Sequence, residues 1–220
     1  SLFEQPHRVI ASGTYTFQST GTDLSMIYIG ESGQRFHYLY GGGSSGDLNG
    51  DGIGNDLIYI PRNSNDPNEI LFQNLTTGGV TYTPAQQAAS FDKFISDNAC
   101  LNKQRGIIMS KHSCEEPWRN TVNVTVRQSL GRLGLGSALN TDAFNRLTVQ
   151  LDIFNFANFI NRDWGKIESV GFGGVIPALN YATKEAGSMV GANGARPIFT
   201  WNPTYKFSNN QNVASNYRMQ

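Results

Sequence analysis

The 220-residue chain has little charge and no long apolar run, and each absence excludes a class of protein. Charged residues make up 15% of the chain, and 17 Lys and Arg balance 17 Asp and Glu. Phosphate binding needs a surplus of basic side chains on one face, so we expect no nucleic acid as a partner. No apolar stretch approaches the roughly 20 residues that a membrane helix requires, which excludes a helical span.

The chain also lacks the short motifs of common catalytic chemistry. It holds no GxSxG, no HExxH and no Gly-rich phosphate loop, and its histidines, His7, His37 and His112, are scattered along the sequence. Glu115 and Glu116 are adjacent, so their side chains diverge on an extended backbone, which is typical of a solvated loop. We therefore expect that the protein is not an enzyme.

Cysteine is scarce, with only Cys100 and Cys114 present. An even number in an Asn- and Gly-rich chain predicts a Cys100–Cys114 disulfide formed outside the cytoplasm. Two free thiols are the alternative, while a zinc site using His112 would lack a fourth ligand and a close CxxC pair. Because the sequence opens at Ser1 without an initiator Met or a signal peptide, we expect a mature chain or a fragment.

Glycine and aromatic residues are abundant, at 24 residues and 11%, which favours strands and turns. Two segments, "RNTVNVTVRQ" and "RLTVQLDIFNF", alternate cleanly between apolar and polar residues. Their apolar members are Val122, Val124, Val126, Leu147, Val149, Leu151 and Ile153. This pattern is typical of strands with one apolar and one polar side.

Three further segments are predicted to be extended. Residues 8–18 place Val9 and Phe17 on one side, with Ile10 as an exception. Residues 23–40 are aromatic-rich but alternate less cleanly, and "GESG" can break or bulge them. The terminal "NYRMQ" reads as the start of a fifth strand.

The connections alternate between short and very long. "STGT" joins the first two strands and "SLGRLGLGSALNTDAF" the third and fourth, whereas residues 41–117 and 158–215 separate the others. Because consecutive antiparallel strands turn at opposite ends of a sheet, all long connections emerge at one end. Outer-membrane barrels have this asymmetry. We predict an all-β fold whose antiparallel strands form part of a large transmembrane β-barrel, with 41–117 and 158–215 as long extracellular loops.

Aromatic residues are expected at both ends of these strands, as the two interfaces of a bilayer would select. The long-loop end carries Trp118, Phe154, Phe156 and Phe159, and the short-turn end carries Tyr15, Phe17 and Phe144. The alternative is that these rings cap the core of a soluble sandwich.

One short helix is predicted in the first long loop. Thr83 can cap it and Pro84 suits its first position, after which Ala88, Phe91 and Ile95 recur at helical spacing. A loop of this size is usually functional or packed on a small core of its own. The residues predicted for that core are Phe91, Phe94, Ile107, Ile108 and Met109, with the disulfide as a staple.

Six ordered segments carry a family resemblance. They are "PHRVIASGTYTF", "GDLNGDGIGNDLIYIPRN", "FDKFISDNACLNKQRG", "CEEPWRN", "LDIFNFANFINRDWG" and "RPIFTWNPTYKF". Together they resemble the C-terminal barrel portion of TonB-dependent outer-membrane receptors. The nearest subgroup is the Oar-like receptors, whose full form carries an N-terminal carboxypeptidase-regulatory-like domain. The resemblance extends over nearly the whole chain.

The resemblance implies a gated transporter in the bacterial outer membrane, with its loops facing outside. Such a receptor has about 22 strands, an N-terminal plug and an inner-membrane energy-coupling complex that drives import. The implied partners are outer-membrane lipid, the remainder of the receptor, the coupling complex and, as a further candidate, a surface lipoprotein. About five strands cannot close a barrel, and this sequence has no plug, coupling box or aromatic-terminated closing strand. We therefore expect one part of a larger assembly.

Residues 46–56, "GDLNGDGIGND", match the first half of an EF-hand-type calcium loop. The candidate calcium ligands are Asp47, Asn49, Asp51, the carbonyl of Ile53, and Asn55, with Asp56 substituting for the missing acid at the last position. Bound calcium would be structural and would stiffen the root of the long loop. The alternative is that Asp, Asn and Gly only shape a surface turn.

A second function is compatible with the same pattern: a secreted or surface β-sandwich, stiffened by calcium and acting as an adhesin or structural surface protein. The two hypotheses differ in what faces the apolar residues of the third and fourth strands. In a receptor these residues face lipid, and in a sandwich they face a second sheet. Neither hypothesis identifies the ligand.

Overall fold

The computed structural model describes residues 4–41, 46–134, 146–162, 164–165, 170, 175–185, 196–204 and 218–219. Within these residues the chain is mostly β, with mainly antiparallel strand pairing and few helices, which confirms that part of the prediction. The chain divides into two compact units. The sheet unit comprises Gln5–Gly33, Pro117–Ser169 and Asn209–Gln220, and the loop unit comprises Ser1–Glu4, Gln34–Glu116 and Val170–Ser208.

The described elements are mostly short strands. The strands are β1 (Arg8–Phe17), β2 (Thr22–Glu31), β3 (Arg35–Gly41), β4 (Tyr59–Ile60), β5 (Leu71–Phe72), β6 (Leu75–Thr77), β7 (Val80–Tyr82), β8 (Ile107–Ile108), β9 (Cys114–Glu115), β10 (Arg119–Ser129), β11 (Thr148–Phe154), β12 (Val175–Lys184), β13 (Pro197–Thr200) and β14 (Arg218–Met219). The helices are α1 (Pro84–Asp97), α2 (Ala99–Asn102) and α3 (Phe156–Ile160), and a 3-10 turn covers Leu130–Leu133. No helix in the described part of the chain is long and apolar enough to cross a membrane.

One antiparallel sheet makes up most of the sheet unit. Its five strands lie in the order β1-β2-β10-β11-β14, so each strand pairs with its neighbour in this series. In its middle row, Met26 of β2 pairs with Gly13 of β1 on one side and Val124 of β10 on the other, and Val124 pairs with Ile153 of β11. The described strands form an open sheet and not a closed barrel.

The connections of this sheet differ at its two ends. Between β1 and β2 the chain turns within four residues, where Gly21 has a φ of +66° and donates its N–H to the Phe17 carbonyl at 2.8 Å. That left-handed conformation favours glycine. The β10–β11 connection leaves the same end, through the 3-10 turn. The connections that follow β2 and β11 both leave the opposite end and are far longer.

The loop unit contains a second five-stranded sheet, of mixed direction. Its strand order is β5-β13-β12-β3-β9, in which β12 runs parallel to β3 and β13 runs parallel to β5. Two small antiparallel pairs, β4 with β8 and β6 with β7, complete its described β structure. Because β3 and β5 come from the first long connection and β12 and β13 from the second, the two connections fold as one unit.

Residues 23–40 are therefore two strands and not one. β2 belongs to the sheet unit and β3 to the loop unit, and the break falls in the stretch that begins at "GESG". β3 is buried on both faces, since Phe36, His37 and Tyr38 are all buried in succession. A strand covered on both sides does not alternate, which explains the irregular pattern of this stretch.

Helix α1 begins and packs as its sequence predicts. The Thr83 side chain accepts from the Gln86 N–H at 3.3 Å, and the Gln86 side chain accepts from the Thr83 N–H at 2.8 Å. This reciprocal pair is a capping box, with Pro84 at the first helical position. Phe91 and Ile95 are fully buried on the inner face of the helix.

The core of the loop unit contains most but not all of the predicted residues. Phe91 and Met109 are buried in it and Phe94 packs against it, whereas Ile107 and Ile108 are 51% and 64% exposed. The prediction for the last two was wrong: they form β8, which pairs with β4 through the backbone while both side chains remain exposed. Aromatic and aliphatic residues from both long connections fill the rest: Tyr38, Ile58, Ile60, Leu101, Leu179, Phe199 and Trp201.

The predicted disulfide is present. Cys100, in α2, is bonded to Cys114, in β9, with 5.4 Å between their Cα atoms. Cys114 is 1% exposed and belongs to the core. The bond therefore joins the helical segment of the loop unit to an edge strand of its sheet.

Candidate functional site

The most extensive candidate site is one face of the sheet unit. Strand alternation and the pairing register place six of the predicted lipid-facing residues on this face, and Leu147 directly precedes β11 in the same alternation. The six are Val122, Val124, Val126, Val149, Leu151 and Ile153. We call this the apolar face.

The apolar face continues across β1 and β2. The pairing register adds Val9, Tyr15 and Phe17 from β1, and Leu24 and Met26 from β2. These side chains are between 39% and 64% exposed. The alternation "DLSMIY" in β2 was the signal for Leu24 and Met26, but the irregular β3 stretch directly after it obscured the pattern.

The opposite face of the sheet is polar and hydrogen-bonded across its strands. The Thr16 hydroxyl donates to Asp23 at 2.7 Å, and the Thr125 hydroxyl donates to Asp152 at the same distance. Further cross-strand bonds join Thr14 to Ser25 at 2.9 Å and the Arg127 guanidinium to Gln150, also at 2.9 Å. Two apolar side chains, Ile10 and Ile27, are exposed on this face at 58% and 44%. The sheet is therefore amphipathic. On its apolar side Val149 and Leu151 are 54% and 40% exposed, whereas Val124 is 9% exposed.

Aromatic side chains gather where the long connections begin. Trp118 precedes β10, and its indole N–H donates to Asn120 at 3.1 Å, while the Tyr28 hydroxyl donates to the same oxygen at 2.8 Å. Phe154 and Phe159, at the end of β11 and in α3, are 40% and 58% exposed. At the other end, the rings of Tyr15 and Phe17 lie 4.8 Å apart. Phe144 lies outside the described residues.

The second candidate site is residues 47–56 of the loop unit, which we call the Asp/Asn loop. The Asp47 carboxylate accepts from the backbone N–H groups of Gly50, Asp51 and Gly52 at 2.7, 3.1 and 2.8 Å. Gly50 and Gly52 have φ values of +78° and +85°, a conformation that other residues rarely adopt. The side chain of Asp47 therefore shapes the turn.

Three of the predicted ligands converge within the Asp/Asn loop. The Asn49 amide nitrogen donates to Asp56 Oδ1 at 2.8 Å and to Asp51 Oδ2 at 3.3 Å, so it lies between the two carboxylates. The Ile53 carbonyl accepts from the Asn55 N–H at 2.9 Å. The described residues contain no group of three or more His, Cys, Asp or Glu arranged to hold a metal ion. The oxygen donors fit a hard cation such as calcium in type.

A third feature of the loop unit is a cleft of about 520 Å³ beside the Asp/Asn loop. Its lining residues are His37, Leu39, Asn55, Asp56, Leu57, Lys111, His112 and Val175. We call it the histidine cleft, because the rings of His37 and His112 lie 4.7 Å apart within it and are nearly perpendicular. The two histidines are 75 residues apart in sequence (112 − 37), and no motif connected them.

The two imidazoles of the histidine cleft lie in surroundings that disfavour their charged form. His37 is only 3% exposed, and the Nδ1 atoms of both rings are buried without a hydrogen-bond partner. Burial, followed by the nearby His112 and Lys111, lowers the pKa of His37 to about 4. The pKa of His112 is also lowered, mainly by burial and then by Lys111. Both rings are therefore neutral at pH 7.

The interpretation of Glu116 as a solvated loop residue was wrong. Glu116 is 4% exposed, and its carboxylate accepts from the backbone N–H groups of Gln34 at 3.2 Å and Val170 at 2.6 Å. It joins the start of β3 to the second long connection, so its role is to satisfy buried backbone donors.

Comparisons with known proteins found no match. No family model, no curated protein and no solved structure is similar to this chain at a significant level.

Proposed function

We propose that this chain is part of the barrel of a TonB-dependent outer-membrane receptor of the Oar-like type. Such a receptor binds a ligand through its long extracellular connections and imports it with energy from an inner-membrane complex. The observation that carries the proposal is the apolar face of the sheet unit, whose exposed side chains include Met26, Val149 and Leu151. A contiguous apolar surface of this extent is costly in water and is typical of a protein or membrane interface.

The length of the strands supports lipid as the contact. β1 and β2 contain 10 residues each and β10 contains 11. A strand tilted by roughly 45° needs about 9–11 residues to cross the hydrocarbon of a bilayer. The face opposite the lipid would line the barrel interior, where cross-strand pairs such as Thr16–Asp23 and Thr125–Asp152 remain hydrated.

The asymmetry of the connections supports an orientation. The loop unit is built from the two connections that leave one end of the sheet, and it contains a disulfide. Disulfides persist in oxidising compartments outside the cytoplasm. In the proposed orientation the loop unit faces the outside, and Trp118, Phe154 and Phe159 lie near the outer interface of the membrane. The coupling complex acts through the rest of the receptor.

Removing detergent from the purified chain tests the proposal. If the apolar face contacts lipid, the chain precipitates or forms heterogeneous aggregates without detergent and recovers a single species in phospholipid vesicles. A chain that stays monodisperse and soluble without detergent would contradict the proposal and favour the calcium-stiffened sandwich.

A labelling experiment separates the two faces of the same strand. Val149→Cys lies on the apolar face and Gln150→Cys on the polar face, while the native cysteines are already bonded to each other. In vesicles, we expect a membrane-impermeant maleimide to modify Cys at position 150 much faster than at position 149. Equal rates at the two positions would contradict a lipid-facing sheet, and protection of position 149 that needs no lipid would indicate a second covering sheet.

A further inference from the structure

We propose that His37 and His112 bind a first-row transition-metal ion, such as Zn²⁺ or Cu²⁺, in the histidine cleft. The site is separate from the oxygen-rich Asp/Asn loop in its donor chemistry, although Asp56 contributes to both. Imidazole nitrogen suits zinc, copper and nickel, whereas calcium and magnesium prefer oxygen.

Both imidazoles have a ring nitrogen that is buried without a hydrogen-bond partner. A buried polar atom without a partner is destabilising, and most such atoms in native proteins are paired. Here the Nδ1 atoms of both rings are buried and unpaired, and one of these rings is 3% exposed. A metal ion bound by these unpaired nitrogens would supply the missing partner and offset the cost of their burial.

The two imidazole rings also lie close together in the histidine cleft. They lie 4.7 Å apart at their centroids and are nearly perpendicular, within a cleft large enough to admit a hydrated ion or a small ligand. Two elements position them. His37 is in β3, which pairs with β12 and β9. His112 has a φ of +54° and lies between β8 and the disulfide-bonded Cys114.

The charges of the cleft are balanced. Lys111 and Asp56 both line it and carry opposite charges, so neither sign dominates. Imidazole nitrogens offer lone pairs, which metal ions accept. Since the described residues contain no arranged set of three His, Cys, Asp or Glu ligands, the remaining coordination positions belong to water or an incoming ligand.

Titration calorimetry of the full chain with ZnCl₂ and with CuSO₄, in detergent and saturating calcium, tests the proposal. A constant, saturating calcium concentration keeps any occupancy of the oxygen donors in the Asp/Asn loop the same in every titration. We expect one ion per chain, and tighter binding of Cu²⁺ than of Zn²⁺. His112→Asn and His37→Gln should each weaken binding by more than the roughly 10- to 100-fold that loss of an outer-shell partner causes. Asn at position 112 tolerates the left-handed backbone, so this variant should fold even where His37→Gln does not.

Two matched variants complete the test. His7→Asn removes the only other histidine, which lies in the sheet unit, and should leave binding unchanged. Lys111→Met removes a positive charge from the cleft and should tighten the binding of a cation. Electron paramagnetic resonance of the copper form should show two coordinating nitrogens in the wild type and one in His112→Asn. Absence of one-to-one binding, unchanged affinity in His112→Asn, or weaker binding in Lys111→Met would each overturn the proposal.

Discussion

Replacing Met26 by Arg should destabilise the protein in a bilayer, whereas replacing its neighbour Ile27 by Arg should not. Both side chains are large, apolar and similarly exposed, at 52% and 44%. Met26 lies on the apolar face between Gly13 and Val124, and Ile27 lies on the polar face between Ser12 and Asn123. The two variants therefore add the same charge at nearly the same depth and differ only in the face that receives it.

The size of the effect follows from the position in the strand. Met26 is the fifth of the 10 residues in β2, so at about 3.3 Å per residue it lies roughly 13–17 Å along the strand from either end. In a membrane-spanning strand this is close to the middle of the bilayer, where an Arg on the lipid face costs about 2–4 kcal/mol. Arg at position 27 faces polar neighbours and water, where a substitution usually changes stability by less than about 0.5 kcal/mol.

The measurement is equilibrium unfolding by guanidinium chloride in phospholipid vesicles. The wild type, Met26→Arg and Ile27→Arg are compared at one lipid-to-protein ratio, with tryptophan fluorescence as the signal. A loss of stability restricted to Met26→Arg agrees with a lipid-facing surface. Equal losses in the two variants, or a larger loss in Ile27→Arg, would refute the assignment of the faces on which the proposed function depends.

Three other predictions concern the loop unit. Millimolar calcium should raise the unfolding temperature of the loop unit, and at a calcium concentration of a hundred times Kd the stabilisation should be about 2.7 kcal/mol. Asp51→Ala should abolish the shift, whereas Asp97→Ala, outside the Asp/Asn loop, should retain it. Scanning calorimetry that shows no shift in the wild type would exclude the calcium site. The double variant Cys100→Ser, Cys114→Ser should have a free energy of unfolding about 3 kcal/mol lower than the wild type, because the disulfide closes a loop with a sequence separation of 14. Chemical unfolding of the reduced wild type should show a similar loss of stability. Partial burial alone would raise the pKa of Asp92, but hydrogen bonds from Arg105 at 2.9 Å and from the Ser64 N–H at 3.2 Å outweigh it and hold the pKa below its usual value. A lowered pKa in the folded state stabilises the protein above the unfolded pKa near 4, so this contribution should disappear as the pH falls from about 5 through the folded value. Asp92→Asn should therefore be less stable than the wild type by about 1–2 kcal/mol at pH 7, with the two converging in acid; a constant difference at every pH would contradict this assignment.

Local patterns predicted the elements whose structure depends on near neighbours. The alternation of Val122, Val124 and Val126 with polar residues identified β10, because one face of that strand is apolar and the other is polar. Thr83 and Pro84 identified the start of α1 within one residue, because capping depends on groups a few positions apart. The Cys100–Cys114 bond followed from there being only two cysteines.

Features that depend on distant pairing could not be predicted in the same way. β3 and β12 run parallel although about 140 residues separate their pairing partners, Val175 and His37 (175 − 37 = 138), and nothing in either segment encodes the other. The burial of Glu116 follows from backbone donors at Gln34 and Val170, which lie 82 and 54 residues away. The histidine cleft is likewise a product of tertiary structure, so no sequence motif for it existed.

The parallel pairing of β3 with β12 and of β5 with β13 has a consequence for how this protein can diverge. Each long connection supplies strands that the other completes, and Trp201 of the second donates its indole N–H to Ser90 of the first at 3.2 Å. Insertions or recombination confined to one connection would leave half of the loop-unit sheet without a partner. New specificity should therefore arise by joint exchange of both connections, so chimaeras that swap them as a pair should fold and those that swap one should not.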